Sequence, residues 1–108
     1  MLFRSIVRAV VRPEDSEAVA SSLAKANFSA LTKWDTFGRG KQKGVRVGGQ
    51  TYSDILKTMF FIAVKDDQVA EVARIIRETA FTGYPGDGKI FVTPLDTVYT
   101  VRTGKQEL

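Results

Sequence analysis

A glycine-rich stretch over residues 82–89 contains the residue types needed to hold an anion. Its sequence is Thr-Gly-Tyr-Pro-Gly-Asp-Gly-Lys, and a short apolar segment follows it. Pro85 fixes its own φ, and Gly86 can take the positive φ that the next position of a type II turn requires. Such a loop can direct several backbone N–H groups at one point, and Lys89 adds a positive charge. The chemistry this favours is the binding of a phosphate chain.

The loop is not a Walker A motif, which has a hydroxyl residue directly after its lysine to bind Mg²⁺. In this chain Ile90 follows Lys89. The alternative interpretation is an ordinary turn between a helix and a strand with a solvated lysine, as most Gly/Pro loops are. Glycine content alone favours that alternative, so the rest of the chain has to decide.

Composition limits the available chemistry. The 108 residues fit one domain over 1–108, and the net charge of +4 suits an anionic small ligand at least as well as nucleic acid. The chain has no cysteine and no histidine, which excludes thiolate metal sites and removes the commonest general base. Arg4, Arg8 and Arg12 interrupt the apolar N-terminal stretch, so it fits neither a signal peptide nor a membrane span. We therefore expect a cytoplasmic protein without direct membrane insertion.

Hydrophobic periodicity predicts the order β-α-β-β-α-β. The predicted strands are 2–12, 30–37, 58–65 and 90–93, with a short further strand near 98–102. This is the ferredoxin-like α+β arrangement, an antiparallel sheet with both helices on one face. The strand over 58–65 is apolar almost throughout, which predicts a central position.

The alternation in the first strand predicts which of its faces is buried. Phe3, Val7, Ala9 and Val11 are assigned to the core, and the opposite face mixes apolar residues with arginines, which suits partial cover by another subunit. Asn27 is expected to end the first helix in the left-handed conformation, and the pair Asp66-Asp67 is expected to cap the second helix. The predicted buried stripes of the two helices are Val19, Leu23 and Ala26, and Val69, Val72, Ala73, Ile76 and Ala80.

A long loop separates the second and third predicted strands. Residues 38–49 carry five glycines, four basic residues and no acid, and a mobile loop over about 38–57 is expected. It begins Gly-Arg-Gly-Lys-Gln-Lys-Gly over 38–44 and ends at Leu56-Lys57.

Together with the 82–92 segment and Arg102-Thr103-Gly104, these motifs resemble the PII nitrogen-signalling family of GlnB- and GlnK-like proteins. The similarity covers essentially the whole chain. The resemblance implies a trimer with nucleotide sites in the clefts between subunits, and it leaves a mixed assembly with a sister PII-like subunit open. The loop over 38–57 corresponds to the family's T-loop, the part that changes shape and contacts target proteins.

The resemblance also implies ligands and their residues. The positions that match nucleotide-binding residues for ATP or ADP are Val10, Thr32, Gly38, Gly40, Lys41, Gln42, Gly86, Asp87, Gly88, Lys89 and Arg102. Those that match the 2-oxoglutarate site are Gln42, Lys43, Gly44, Lys57 and Gly86. Gln42 would also be the protein ligand of a Mg²⁺ ion bridging 2-oxoglutarate to ATP.

The chemistry of Lys57 and Gln42 agrees with these roles. A dianionic keto acid needs a fixed cation, and Lys57 lies where the loop rejoins the sheet. The amide oxygen of Gln42 is a neutral ligand of the kind that Mg²⁺ accepts beside substrate phosphates. Taken singly, each residue would more commonly be a solvated surface side chain, and their joint spacing with the glycine loop favours the functional interpretation.

The chain departs from the family pattern in three places. Thr100 replaces a second arginine that many members carry two positions before Arg102. The T-loop is shorter than in typical GlnB or GlnK proteins, and Tyr52, near their modified tyrosine, is either a modification site or an aromatic anchor. The short loop entered by Gly-Lys-Gln-Lys-Gly looks more like the nitrogenase-regulating NifI branch.

The interpretation is a regulatory protein without catalytic residues, whose target is nitrogenase or another nitrogen-assimilation protein, with an ammonium channel as the alternative. One competing interpretation is a small phosphatase or ATPase, which the lack of histidine, cysteine and paired carboxylates disfavours. The other is an RNA-binding module, since RRM domains share the strand order. Phe60 and Phe61 lack the flanking pattern of an RNA-binding strand, so no nucleic-acid partner is expected.

Overall fold

The computed structural model describes residues 3–38, 45–47, 50–52 and 55–108. These residues form six strands and two α-helices. They are β1 Arg4–Val11, α1 Ser16–Lys25, β2 Thr32–Gly38, β3 Val45–Val47, β4 Gln50–Tyr52, β5 Ile55–Lys65, α2 Val69–Ala80 and β6 Gly88–Leu95.

Four strands form one antiparallel sheet in the order β2-β5-β1-β6. Within it, β1 is central and pairs with β5 on one side and β6 on the other. The predicted ferredoxin-like fold and the central position of the third predicted strand, β5, are confirmed. The short strands β3 and β4 pair only with each other, as a two-stranded hairpin in the long loop.

The hydrophobic core lies between the helices and one face of this sheet. Alternate residues of β1 and β5 point into it, which confirms the face predicted from alternation. The fully buried large side chains are Phe60, Leu23, Ile62, Ile76, Val7, Val11, Val19 and Val72. Phe3 was assigned to this core wrongly: it lies before the first paired residue of β1, and the residue is 64% exposed.

The helices bury nearly the stripes that were predicted. In α1, Val19 and Leu23 are buried and Ala26 packs against the core, while Ile75 of α2 is a buried residue that the stripe prediction missed. Asn27 has φ 70°, which confirms the left-handed end of α1.

The predicted aspartate cap of α2 is wrong. A 3-10 turn over Asp66–Gln68 precedes this helix, and no side chain makes a capping hydrogen bond to it there. Asp66 is used elsewhere, because its carboxylate accepts a 2.6 Å bond from the Ser5 hydroxyl. Instead, the Gln68 side-chain oxygen accepts the backbone N–H of Lys65 at 3.1 Å.

The chain after β6 folds back on itself. A short strand was predicted near 98–102, but the structure has one β-bridge there, between Tyr99 and Gln106. The N–H of Thr100 donates to the Lys105 carbonyl at 2.9 Å, and Gly104 turns the chain with φ 71°. The segment therefore satisfies its backbone locally instead of extending the sheet.

The sheet face away from the helices is apolar and basic together. The β1 residues at even positions 4–10, and Arg12 directly after the strand, are all half-buried, and Trp34 and Phe91 are 44% and 49% exposed. The Arg8 guanidinium lies 5.2 Å from the centre of the Phe61 ring on this face. Of the two helices in the described ranges, neither has the length and apolar character needed to cross a bilayer.

Candidate functional site

The glycine loop over residues 81–87 connects α2 to β6 with two glycines in positive-φ conformations. Gly83 has φ 90° and Gly86 has φ 99°. A positive φ at Gly86, directly after Pro85, is the backbone geometry that the sequence predicted, and a residue with a Cβ would be strained there.

Asp87 organises the first half of this loop. One of its carboxylate oxygens accepts the backbone N–H groups of Thr82 and Gly83, each at 2.9 Å, and the other accepts the Thr82 hydroxyl. The hydrogen bond from the Thr82 hydroxyl, followed by the one from Arg12, holds the pKa of Asp87 far below its usual range. The N–H groups of 82 and 83 therefore bind the loop's own carboxylate.

Arg12 joins the end of β1 to the same loop. Its guanidinium donates one bond to Asp87 Oδ1 at 2.6 Å and a second to the Pro85 carbonyl at 3.0 Å. The two side chains are mostly covered, with 21% of Arg12 and 23% of Asp87 exposed. The loop is thus attached to the sheet through both a side chain and a backbone carbonyl.

Lys57 reaches the loop from the other side. It belongs to β5, it is 9% exposed, and its Nζ donates to the Gly86 carbonyl at 3.1 Å. A mostly buried ammonium group therefore lies beside the turn, and the structure brings together two residues that resemblance assigned to one ligand.

Gly88 allows β6 to approach β1 closely. A Cβ built on Gly88 would lie 1.9 Å from the Val10 carbonyl oxygen, and its φ of 127° is one that side chains rarely permit. No residue with a side chain could start β6 at this position without moving the backbone. The glycine is thus a packing requirement of the ladder as well as a part of the loop.

A cleft of about 750 Å³ lies between the glycine loop and the ends of β2 and β5. Its walls are largely apolar, and among the described residues that line it Lys57 and Lys89 are the cations and Asp87 is the one acid. The lining residues are Val10, Thr36, Phe37, Gly38, Ile55, Lys57, Met59, Tyr84, Pro85, Gly86, Asp87, Gly88, Lys89 and Phe91.

The structure brings most of the described candidate residues to this one cleft. They are Val10, Gly38, Lys57, Gly86, Asp87, Gly88 and Lys89. Two others do not line it: Thr32 is exposed at the start of β2, and Arg102 is exposed in the turn after β6. The remaining candidates, Gly40, Lys41, Gln42, Lys43 and Gly44, lie outside the described residues. Tyr52 is the last residue of β4.

Sequence reasoning did not name Arg12 as a site residue. Part of the signal was present, because an arginine directly after the strand that pairs with β6 lies at the same end of the sheet as the loop, although its partners depend on the strand register. Tyr84 and Phe37 were also not assigned to the site. Both are exposed aromatic residues at the rim of the cleft, 76% and 73% exposed.

Comparison with known proteins identifies the family. The sequence model of the family described as "Nitrogen regulatory protein P-II" matches residues 4–105. The "Nitrogen fixation nifHD region GlnB-like protein 1" of Methanothermobacter marburgensis is 50% identical over 103 residues, covering 95% of this chain and 98% of that protein. The nifHD2 region GlnB-like protein 1 of Methanosarcina barkeri is 48% identical with the same coverage.

A solved structure agrees with the sequence matches. The crystal structure of Arabidopsis thaliana PII bound to citrate superposes with a TM-score of 0.80 at 38% identity, covering 96% of this chain and 85% of that one. The chain belongs to the PII nitrogen-regulatory protein family. This confirms the resemblance found in the sequence, including its similarity to the nif-associated branch, and the expectation of a regulatory protein instead of an enzyme.

Proposed function

We propose that the protein is a PII-type signal transducer that reads the adenine nucleotide and 2-oxoglutarate status of the cell. ATP or ADP binds with its phosphates at the glycine loop, and 2-oxoglutarate binds with MgATP. The observation that carries the proposal is the cleft in which Lys57, Lys89 and the turn at Gly86 converge beside an apolar wall. Two cations and an exposed backbone turn suit phosphate, and the apolar wall suits a base or ribose.

A nucleotide site shared between subunits accounts for the residues outside the cleft. Arg102 and Thr32 match nucleotide-binding positions of the family but do not line the cleft of a single chain. A neighbouring subunit, packed on the half-buried sheet face, would supply such groups to the open side. The proposed assembly is a homotrimer, with a mixed trimer containing a sister subunit as the alternative.

The oxygen atoms around the proposed Mg²⁺ would come from the bound small molecules as well as from the protein. In the described part of the chain no three acidic side chains cluster as a metal site, and both oxygens of Asp87 already accept hydrogen bonds. Mg²⁺ would therefore take its oxygens from ATP and 2-oxoglutarate, together with Gln42. When bound, the ion would offset the negative charges of ATP and 2-oxoglutarate, Gln42 would hold it, and Lys57 would bind a carboxylate of the keto acid.

The proposed output is control of nitrogenase or another nitrogen-assimilation protein through the T-loop. The support is the family membership and the names of the relatives, which connect those proteins with nifHD regions. The Arabidopsis neighbour is bound to citrate, so this fold accepts a polycarboxylate in that protein. An ammonium channel remains the alternative target.

Calorimetry with ATP, ADP, Mg²⁺ and 2-oxoglutarate, added singly and together, tests the proposal. We expect ATP and ADP each to bind, and 2-oxoglutarate to bind tightly only with MgATP. By linkage, 2-oxoglutarate must then tighten ATP by the same factor. Equal 2-oxoglutarate binding with ADP, or without a nucleotide, would show that the bridging scheme is wrong.

Two lysine variants assign the binding to the cleft. Lys89→Ala should weaken nucleotide binding by roughly ten- to a hundredfold, the usual effect of losing a charged hydrogen-bond donor. Lys57→Ala should abolish the coupling between MgATP and 2-oxoglutarate. It should also weaken ADP binding slightly, because the Gly86 carbonyl loses the hydrogen bond from Lys57. The matched control is Lys25→Ala on the exposed side of α1, which should bind as the wild type does.

A further inference from the structure

The strand register places Arg12 between two residues of the proposed ligand site. The β1–β6 ladder pairs Val11 with Gly88, so one further step along it puts Arg12 opposite Asp87. The β1–β5 ladder pairs Val11 with Thr58, so the same step puts Arg12 beside Lys57. The backbone therefore brings Arg12 to the base of the cleft on the far side of the loop, although its side chain does not line the cleft.

The contacts of Arg12 run inward to the protein scaffold. Its two bonds, to Asp87 Oδ1 and to the Pro85 carbonyl, span the turn that carries Gly86. Asp87 in turn holds the N–H groups of Thr82 and Gly83. One continuous set of hydrogen bonds thus leads from the end of β1 through Arg12 to both halves of the glycine loop.

The same contacts determine which charges around the cleft are paired with a carboxylate and which are not. Arg12 and Lys57 are like charges on neighbouring strands, and Asp87 pairs with Arg12. Lys57 is bonded to a neutral carbonyl and Lys89 is exposed, so their charges are not cancelled by this carboxylate. An anion that enters the cleft would therefore contact Lys57 and Lys89. The Arg12–Asp87 ion pair is neutral overall, and its arginine does not line the cleft.

We propose that Arg12 is a positioning residue for anion binding at the glycine loop, acting through Asp87 and the Pro85 carbonyl without touching the ligand. This inference rests on the proposed nucleotide site. A loop with two positive-φ glycines has many open conformations, and a ligand that binds only one of them loses affinity in proportion to that conformation's population. Arg12 raises that population before the ligand arrives.

The test measures ATP and ADP affinity by calorimetry for variants that separate position from charge. Arg12→Gln/Asp87→Asn removes both charges of the pair, so the net charge of the site stays the same. We expect it to bind about tenfold more weakly, the effect of losing charged hydrogen bonds. Arg12→Lys keeps the charge but cannot form the two-pronged contact, and it should lose affinity to a smaller extent.

Ionic strength separates a positioning residue from a direct contact. Because salt screens charge–charge attraction between protein and phosphate, Lys89→Ala should flatten the decline of affinity with added salt. The charge-neutral double variant should bind more weakly but keep the wild-type salt dependence. Arg74→Gln breaks a comparable 2.9 Å arginine–carboxylate pair, with Glu78 on the outside of α2, and is the control that should change neither quantity.

Each outcome is decisive. Wild-type affinity in the double variant and in Arg12→Lys would overturn the inference while leaving the nucleotide site in place. A double variant that loses salt dependence as Lys89→Ala does would also overturn it, because Arg12 would then contact the ligand. If the wild type binds neither nucleotide, the proposed function fails and takes this inference with it. If the double variant does not fold, the nucleotide affinity of Arg12→Lys decides alone, measured well below the thermal midpoint of that variant.

Discussion

Gly88 lies where the glycine loop joins β6, and the opposing backbone occupies the space that a side chain would need. A Cβ at this position would lie 1.9 Å from the Val10 carbonyl oxygen and 3.3 Å from the neighbouring Val11 Cα. A backbone carbonyl in a central strand cannot move aside as the end of a flexible side chain can. The residue is therefore fixed by the ladder, whatever ligand the loop binds.

The substitution Gly88→Ala should destabilise the fold. The strained φ and the forced separation of β1 and β6 together should cost at least about 2 kcal/mol. For a domain of this size that corresponds to a fall in Tm of roughly 8–16 °C. Gly38→Ala is the control, since no atom of the described residues lies within 4 Å of its Cβ position. Equal thermal midpoints for the two variants in circular dichroism would contradict the argument.

Asp87 should contribute stability that depends on pH in a defined direction. Its pKa is lowered in the folded protein, so its contribution is complete above the unfolded value, about 3.9, and is lost as the pH falls towards the lower folded value. Asp87→Asn should therefore melt below the wild type at neutral pH, and the difference should shrink below about pH 4. Asp67→Asn, an exposed acid before α2, is the control. A difference between Asp87→Asn and wild type that grew on acidification would refute this sign.

At the scale of elements, the sequence predicts the features that periodicity and local turn geometry determine. Alternation over β1 identified Val7 and Val11 as core because the strand has a helix layer on one face only. Phe3 fits the same alternation but lies beyond the paired residues, and periodicity carries no information about where pairing ends. The positive φ at Gly86 was likewise predictable, because turn geometry is local.

The interior of the glycine loop could not be predicted in the same way. The sequence shows that Asp87 is an acid in a loop, but its partners depend on which residue of β1 lies opposite. That register is a property of the assembled sheet. Several backbone N–H groups of the loop were expected to converge on an anion. Those of Thr82 and Gly83 bind the Asp87 carboxylate, whose other oxygen accepts a bond from Arg12.

The hairpin of β3 and β4 can be removed without touching the main sheet. The two strands pair only with each other, whereas β2 and β5 pair directly over Gly38 and Ile55. Deletion of residues 45–53 should therefore leave nucleotide affinity within about threefold of wild type, because the main sheet stays intact. A threefold change corresponds to about 0.7 kcal/mol. The same deletion should abolish binding of the target protein in a pull-down, because it removes the proposed T-loop contact.

Immunoblots of pull-downs for nitrogenase proteins and for an ammonium channel, with and without MgATP plus 2-oxoglutarate, check the loop prediction. The amount of target protein pulled down by the wild type should change when MgATP and 2-oxoglutarate are added. Capture that ignored the ligands, or that survived the deletion, would mean that another surface contacts the target.

At the scale of the whole molecule, the helix-free face of the sheet predicts self-association. Apolar side chains such as Phe91 and Trp34 are about half exposed there in a single chain. Light scattering should give about 36 kDa, three times the 11.9 kDa subunit. Ile6→Glu should reduce this mass, since an unpaired carboxylate in a packed interface is costly. Ala24→Glu on the exposed side of α1 should leave it unchanged, and a monomeric wild type would contradict the prediction.

The central position of β1 has a consequence for the order in which the molecule is completed. Arg4 pairs with Leu95, which is made about ninety residues later. At roughly 5–20 residues per second, β1 waits several seconds on the ribosome for its second neighbour. Contacts so distant along the chain also slow folding relative to local ones. The cleft, whose rim is the start of β6, therefore forms only after β6 has been made, and a chain that still lacks β6 cannot form the proposed ligand site.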